Sequence, residues 1–148
     1  TAAAVQVATE LDVTGVMAAE LFEVPGSADG FMVNEFAMRP HNSGHWTQDG
    51  SVTSQFEQHL RAVANLPLGD TSLKGDYALM KNFLGGENQD IFGVYPQVLG
   101  NYPATKMHFY GKEPKPGRKI GHINMIGSNL PTMRQQATAA AHLLTHGA

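Results

Sequence analysis

Two strand-like runs near the start of this chain are joined by a segment with the composition of a tight turn. The runs are Val13–Val24 and Phe31–Arg39, and the intervening Pro25–Gly30 contains one proline and two glycines. These residues adopt the fixed or positive φ values that turns require, so the pattern predicts a β-hairpin. Pro40 cannot continue the second strand and marks its end.

The hairpin predicts a pair of opposed carboxylates. If it folds symmetrically about its turn, Val24 faces Phe31. Counting back along both strands then places Glu20 opposite Glu35. Opposed like charges destabilise a sheet unless a cation lies between them or one carboxylate is protonated. Oxygen ligands with Asn34 alongside suit a hard ion such as Mg²⁺, whereas the alternative is two ordinary surface glutamates.

Polar residues that could bind an anion follow the hairpin. In a regular strand Arg39 shares a face with Glu35, where its guanidinium could bind phosphate or carboxylate or could form a salt bridge. The segment His41–His45 is rich in loop formers, which favours a ligand-binding loop over a helix that would bring its two histidines together as a zinc pair. The candidate ligand-binding residues here are Arg39, His41, Asn42 and Ser43.

The rest of the chain alternates helices and strands. Ser54 followed by Glu57 matches a capping box at the start of a helix. Helices are predicted at Ala4–Leu11, over the apolar pattern of Val52, Phe56, Leu60 and Val63, and from about Pro131 to His146. Strands are predicted at Tyr77–Leu84, about Lys106–Tyr110 and about Lys119–Met125. A short helical or irregular stretch is expected around Tyr95–Leu99. Together with the hairpin, this pattern predicts an α+β fold.

A cluster of cations lies at the tip of the second predicted hairpin. Five of the ten Lys and Arg residues fall between positions 106 and 119, and no Asp or Glu follows Glu113. A positive field attracts phosphate or carboxylate, although a solvated basic turn has the same composition. The candidate phosphate ligands are Lys112, Lys115, Arg118 and Lys119. On the flanking strands, His108 and His122 are expected to be packed or surface residues.

Composition excludes several classes of protein. A chain of 148 residues with 42% hydrophobic and 16% charged residues and a net charge of −3 is typical of a globular protein, not of a general nucleic-acid binder. No apolar run approaches the roughly 20 residues of a membrane span, and we expect a cytoplasmic protein. Without cysteine, the chain has neither disulfides nor thiolate metal sites. Because the chain starts within a predicted helix and has no initiator Met, we expect it to be a fragment of a longer polypeptide.

Long stretches of the chain resemble one enzyme family. They run from Val33 to Thr47 and on through Thr53–Ala62, from Tyr110 to Asn124, and over Gly15–Phe22. These stretches resemble the 5-(carboxyamino)imidazole ribonucleotide synthases, ATP-grasp enzymes of purine biosynthesis, and they follow the family's order over nearly the whole chain. Met38 departs from the family, since many members have proline there.

The resemblance implies two domains. Residues 1–66 would form the C-terminal part of an ATP-grasp domain, an antiparallel sheet with helices, and residues 67–148 a small β-rich domain with a terminal helix. The implied enzyme is a homodimeric ligase that uses MgATP and bicarbonate to carboxylate 5-aminoimidazole ribonucleotide, with no nucleic acid or membrane as a partner. The family's phosphate loop and most of its adenine pocket are absent from the chain, so the chain alone is expected to be inactive.

The resemblance also implies roles for individual residues. Glu20 and Glu35 resemble the Mg²⁺ carboxylates, with Asn34 beside them at the nucleotide. The substrate or carboxyphosphate contacts would be Arg39, His41, Asn42 and Ser43, of which Arg39 and His41 would be catalytic, and the ribonucleotide phosphate would bind Lys112, Arg118 and Lys119. The alternatives are another ATP-grasp ligase, which would share the carboxylate pair but not the stretch from Lys112 to His122, or a non-catalytic ligand-binding fragment.

Overall fold

The structure, a computed structural model, describes residues 2–147. Its elements in chain order are α1 (Ala2–Glu10), β1 (Ala18–Glu23), β2 (Phe31–Ala37), α2 (Thr47–Gly50), α3 (Gln55–Val63), β3 (Tyr77–Leu84), α4 (Ile91–Asn101), β4 (Lys106–Phe109), β5 (Lys119–Gly127) and α5 (Leu130–His146). Helices combined with antiparallel strands confirm the predicted α+β class. Within this range, no helix has both the length and the apolar character needed to cross a membrane.

The chain forms two compact units. The first contains α1, the β1–β2 hairpin and the loop up to Gln48, and it resumes over Thr53–Thr71. The second contains Asp49–Val52 and the chain from Ser72 onward. The domain boundary predicted between residues 66 and 67 remains a prediction.

The predicted hairpin is present in the first unit, but its register beside the turn differs by one residue from the symmetric arrangement. Glu23, not Val24, faces Phe31. The N–H of Val24 donates to the carbonyl of Gly30 at 2.9 Å, so Val24 pairs with Gly30 instead of Phe31. Gly26 and Gly30 make this turn possible with φ values of +83° and +71°.

A β-bulge in β2 restores the predicted register further along the hairpin. Leu21 faces Val33, whereas the preceding residue, Glu20, faces Glu35. Asn34 is therefore an extra residue on β2, with no partner opposite it on β1. The bulge offsets the one-residue shift at the turn, so Glu20 and Glu35 face each other as the symmetric hairpin predicts.

Apolar side chains of the first unit are largely exposed. On the hairpin, Leu21, Phe22, Met32 and Val33 are each at least 42% exposed. Helix α3 begins after the predicted Ser54 cap, but the apolar face predicted for it is also exposed, and its one buried residue is Gln55. Polar contacts, not an apolar face, therefore hold the start of α3 in place.

The hydrophobic core lies in the second unit. β5 is the central strand of an antiparallel sheet of order β3-β5-β4, and α5 packs against this sheet with α4 beside it. Phe83, 1% exposed, faces Gly121 in the β3–β5 ladder. A Cβ at position 121 would overlap the Phe83 ring and would approach the His108 carbonyl oxygen to 2.5 Å. Glycine at this position lets the aromatic ring lie directly against the sheet.

The largest differences from the predicted element boundaries are at α4 and at the start of β1. The stretch around Tyr95–Leu99 is part of an 11-residue helix, α4, which contains Pro96. Asp90 caps α4 by accepting the N–H of Gly93 at 3.0 Å, and burial of Ile91, Val94 and Val98 outweighs the helix-breaking effect of the proline. The first strand begins at Ala18 instead of Val13.

Candidate functional site

Two carboxylates and one imidazole converge in the first unit. Glu20 on β1 and Glu35 on β2 face each other, and His41 follows the end of β2. Nε2 of His41 lies 3.2 Å from Oε1 of Glu20 and 3.7 Å from Oε1 of Glu35. One ligand atom from each residue lies within 4.8 Å of the others. The carboxylates are exposed and the imidazole is buried, so the cluster opens on its acidic side.

The bulge turns Asn34 toward this cluster. In an unbulged strand, Asn34 and Glu35 would point to opposite faces of the sheet. Instead, Nδ2 of Asn34 donates a hydrogen bond to Oε2 of Glu20 at 3.1 Å. Asn34 therefore orients the carboxylate of Glu20, a role consistent with its predicted place beside the metal ligands.

Ser43 sets the proton position on the His41 ring. The backbone N–H of Ser43 donates to Nδ1 of His41 at 3.3 Å, and Oγ of Ser43 lies 2.9 Å from the same nitrogen. Because a backbone N–H can only donate, Nδ1 is an acceptor, and the neutral ring carries its proton on Nε2. The Nε2–H group of His41 therefore points at the carboxylate pair.

The loop after β2 holds its two histidines in separate environments. Asn42–Gly44 forms a 3-10 turn, as expected of a loop and not of an α-helix. Nδ1 of His45 accepts a hydrogen bond from Nε2 of Gln55 at 2.8 Å, and the His45 ring stacks on Phe56 with centroids 5.4 Å apart. The imidazole rings of His41 and His45 thus have different partners, which disfavours a zinc pair.

Arg39 is exposed and precedes His41 by two residues. Its Nη1 donates to the carbonyl oxygen of Pro40 at 3.1 Å. Within residues 2–147 the guanidinium does not form the alternative salt bridge with Glu35. Its predicted role as an anion ligand remains a prediction, as do the substrate-binding roles of Asn42 and Ser43.

The basic loop between β4 and β5 belongs to the second unit. Lys112, Arg118 and Lys119 are exposed, and Nζ of Lys112 lies 5.3 Å from the centroid of the Tyr110 ring. The N–H of Gly85 donates to the Arg118 carbonyl at 2.8 Å, which anchors the end of the loop. The loop therefore presents cations from a fixed backbone, and its phosphate-binding role remains a prediction.

Sequence reasoning missed a hydrogen-bond network in the second unit. Oδ2 of Asp49 accepts from Nδ2 of Asn124 at 2.8 Å and from Nε2 of His108 at 2.7 Å. The His108 ring stacks on the His122 ring with centroids 4.5 Å apart. Burial raises the pKa of Asp49, but the two hydrogen bonds and positive charge at His108 and His122 outweigh it and hold the pKa below the ordinary value of 3.8.

We expect Asp49 to make the second unit sensitive to acid. A lowered carboxyl pKa stabilises the folded state above the unfolded-state pKa, and this stabilisation is lost as the pH falls through the folded-state pKa. Asp49→Asn should cost about 1–2 kcal/mol at neutral pH, and its difference from wild type should shrink in acid. Urea unfolding followed by NMR signals of β5, from about pH 7 to about pH 2.5, measures the cost of the substitution and its dependence on pH. A difference that is constant with pH would contradict the assignment.

Two parts of the chain match known domain families. Residues 1–56 match the ATP-grasp domain, and residues 78–136 match the phosphoribosylaminoimidazole carboxylase C-terminal domain. The carboxylate pair and His41 lie in the first match, and the basic loop lies in the second. The two matches therefore assign the candidate metal ligands and the candidate phosphate ligands to different domain families.

Curated relatives that share one name match almost the whole chain. The N5-carboxyaminoimidazole ribonucleotide synthase of Mycobacterium tuberculosis is 49% identical over 147 residues, which cover 97% of this chain and 34% of the relative. That of Corynebacterium ammoniagenes is 50% identical, with coverages of 97% and 36%. The chain thus spans about a third of the length of these curated relatives.

Two solved structures show the same likeness at the level of the fold. The crystal structure of N5-carboxyaminoimidazole ribonucleotide synthetase from Thermus thermophilus has a TM-score of 0.75 and 40% identity, covering 97% of this chain and 37% of that one. An enzyme from Aspergillus clavatus, solved in complex with ADP and 5-aminoimidazole ribonucleotide, has a TM-score of 0.69 and 32% identity, with coverages of 88% and 35%.

Proposed function

We propose that this chain forms part of a ligase of the N5-carboxyaminoimidazole ribonucleotide synthase family, which carboxylates 5-aminoimidazole ribonucleotide. The ligase uses MgATP and bicarbonate and releases ADP and phosphate. The observation that carries this proposal is the cluster of Glu20, Glu35 and His41 within the segment that matches the ATP-grasp domain. The activity is proposed for the whole protein, as a cytoplasmic homodimer, since the chain spans only part of its relatives.

The proposed reaction has two steps. A bicarbonate oxygen attacks the γ-phosphorus of ATP, the bond from phosphorus to the ADP oxygen breaks, and carboxyphosphate forms. The exocyclic amine of the ribonucleotide then attacks the carboxyl carbon, the bond from carbon to the phosphate oxygen breaks, and phosphate leaves with the proton from the amine. Nothing is oxidised or reduced, so the protein contributes chiefly positioning and charge neutralisation.

Glu20 and Glu35 are suited to hold Mg²⁺ for the first step. Their opposed carboxylates repel each other unless a cation lies between them, and Mg²⁺ prefers oxygen ligands of this kind. The ion, when bound, neutralises charge on the phosphoryl group that is transferred. Asn34 supports this role by orienting the Glu20 carboxylate.

His41 and Arg39 are suited to bind the anionic intermediate. The Nε2–H of His41 already donates toward two carboxylates, so it can equally donate to an oxygen of bicarbonate or carboxyphosphate. The exposed guanidinium of Arg39 offers two parallel N–H donors to a carboxylate or phosphate. Asn42 and Ser43 add polar groups to the same loop.

The basic loop is suited to bind the phosphate of the ribonucleotide. Three exposed cations, Lys112, Arg118 and Lys119, create a positive field there, and the backbone at Arg118 is anchored by Gly85. In the same loop, Nζ of Lys115 is paired with the Glu113 carboxylate at 3.2 Å.

We expect Arg118→Ala to raise the KM for the ribonucleotide by about 10-fold or more with a smaller change in kcat, because a charge-assisted hydrogen bond to phosphate is lost. The assay uses a chimera in which this chain replaces the corresponding part of the M. tuberculosis relative. Lys115→Ala is the matched control and should change KM less. Equal effects of the two substitutions would remove Arg118 from the phosphate site.

The carboxyphosphate step can be tested with isotopic oxygen in the same chimera. Bicarbonate labelled with ¹⁸O should transfer one labelled oxygen to the released phosphate, because the attacking oxygen stays bonded to phosphorus when the carbon–oxygen bond breaks. Mass spectrometry of the phosphate measures this transfer. Phosphate without the label, formed together with carboxylated product, would contradict the proposed route.

A further inference from the structure

We infer that Gln55 is a positioning residue for the proposed reaction, because its buried amide fixes the loop that presents His41 to Glu20 and Glu35. Gln55 is the first residue of α3 and is only 7% exposed. The role of Gln55 in catalysis rests on the proposed function. The position of the His41 ring can nevertheless be measured without any turnover.

The Gln55 amide engages both backbone polar groups of His41. Its Oε1 accepts the His41 N–H at 3.0 Å, and its Nε2 donates to the His41 carbonyl at 2.7 Å. Since a backbone N–H only donates and a carbonyl only accepts, these two bonds also fix the orientation of the amide. Nε2 also donates to Nδ1 of His45 at 2.8 Å, so one side chain ties both ends of the 41–45 loop.

The loop backbone packs closely against this amide. A Cβ at Gly44 would overlap Oε1 of Gln55, so glycine makes room for the side chain. Oγ1 of Thr47 accepts the Gln55 N–H at 2.9 Å and donates to the Gly44 carbonyl at 2.6 Å. The contacts of Gln55 and Thr47 thus hold the backbone on which the His41 ring is mounted.

Loss of the Gln55 amide should therefore release His41. The backbone N–H of His41 would lose its partner at a residue that is 9% exposed, and a buried polar group without a partner is costly. The His41 carbonyl would lose one of its two donors and keep the N–H of Gly44 at 2.9 Å. The loop can avoid this cost only by moving toward water. Such a movement would separate Nδ1 of His41 from Ser43 and Nε2 from the carboxylates.

Gln58, one turn along the same helix, provides a matched control. Its Nε2 donates to the Gly69 carbonyl at 2.7 Å, and its Oε1 accepts the Gly69 N–H at 2.9 Å. This is the same two-bond contact with the backbone of one residue, but it holds a different loop. Gln58→Ala should therefore destabilise the unit in a similar way without changing His41.

The test compares Gln55→Ala and Gln58→Ala in the full 148-residue chain by imidazole ¹⁵N NMR at about pH 8, where an ordinary imidazole is neutral. In wild type and in Gln58→Ala, His41 should show a protonated Nε2 and an unprotonated Nδ1. In Gln55→Ala, the ring should show the averaged signals of mixed tautomers. Paramagnetic broadening of the His41 signals by Mn²⁺ should fall at least threefold in Gln55→Ala only.

Unchanged His41 signals in Gln55→Ala, or equal changes in both variants, would overturn the inference. If Gln55→Ala does not fold, Gln55→Glu replaces it, because glutamate keeps the size and the acceptor but cannot donate to the His41 carbonyl. The same loss of the fixed tautomer is expected. A wild-type chain that shows no Mn²⁺ broadening would count against the proposed metal site, while the tautomer comparison would still decide the role of Gln55.

Discussion

Glu35→Gln should reduce turnover of the chimera by about 10²–10³-fold, because a neutral amide is a poor substitute for a carboxylate that binds Mg²⁺ opposite Glu20. The fold should survive the change. Removing one of two opposed charges relieves repulsion in the hairpin, so the free energy of unfolding should stay constant or rise by up to about 1 kcal/mol. Steady-state ADP release and urea unfolding measure the two quantities.

Glu23→Gln is the matched control for this substitution. Glu23 lies on the same strand as Glu20 and is exposed, but it faces Phe31 and lies outside the cluster. The Glu23→Gln substitution should leave turnover unchanged. Wild-type turnover by the Glu35→Gln enzyme would contradict the metal assignment, and equal losses in both variants would show a general effect of charge.

Phe83→Ala should lower the free energy of unfolding of the second unit by about 3–5 kcal/mol, the usual cost of removing a buried aromatic ring. Phe83 is 1% exposed and belongs to the core cluster that also contains Ile120, Ile123 and Leu144. Because Gly121 has no side chain to move into the vacated space, we expect a cavity to remain. Urea unfolding followed by NMR signals of β5 measures the loss.

Phe92→Ala is the control with the same change in chemistry. Phe92 is 64% exposed, and its ring contacts Tyr95 and Phe109 at centroid distances of 5.3 and 5.4 Å. Loss of the Phe92 ring should lower the free energy of unfolding by about 1.5 kcal/mol at most. Equal costs at positions 83 and 92 would mean that Phe83 is not a central core residue.

The opposed carboxylates could be predicted from sequence, but partly for the wrong reason. A symmetric hairpin gives Glu20 opposite Glu35, whereas the real hairpin is shifted by one residue at its turn and restored by the bulge at Asn34. No residue pattern in the two strands marks that bulge. The pairing was therefore right because two deviations from the ideal hairpin cancel.

The polar residues that organise the sites could not be predicted from periodicity. An apolar pattern predicts which face of α3 is buried, yet the one buried residue of that helix is Gln55. The burial of Gln55 depends on a loop that precedes it by ten to 14 residues. The burial of Asp49 depends on strands more than fifty residues away. Sequence periodicity carries no information about such contacts. The start of α3 was predictable because its Ser54 cap is a local signal.

Release of ADP by the chimera, with ATP, bicarbonate and 5-aminoimidazole ribonucleotide omitted one at a time, tests the central claim most directly. The intact M. tuberculosis relative serves as the positive control. We predict that the chimera releases ADP with all three substrates and that release falls to background without the ribonucleotide. Release at an undiminished rate without the ribonucleotide, or a folded chimera that releases none under conditions where the relative is active, would contradict the account.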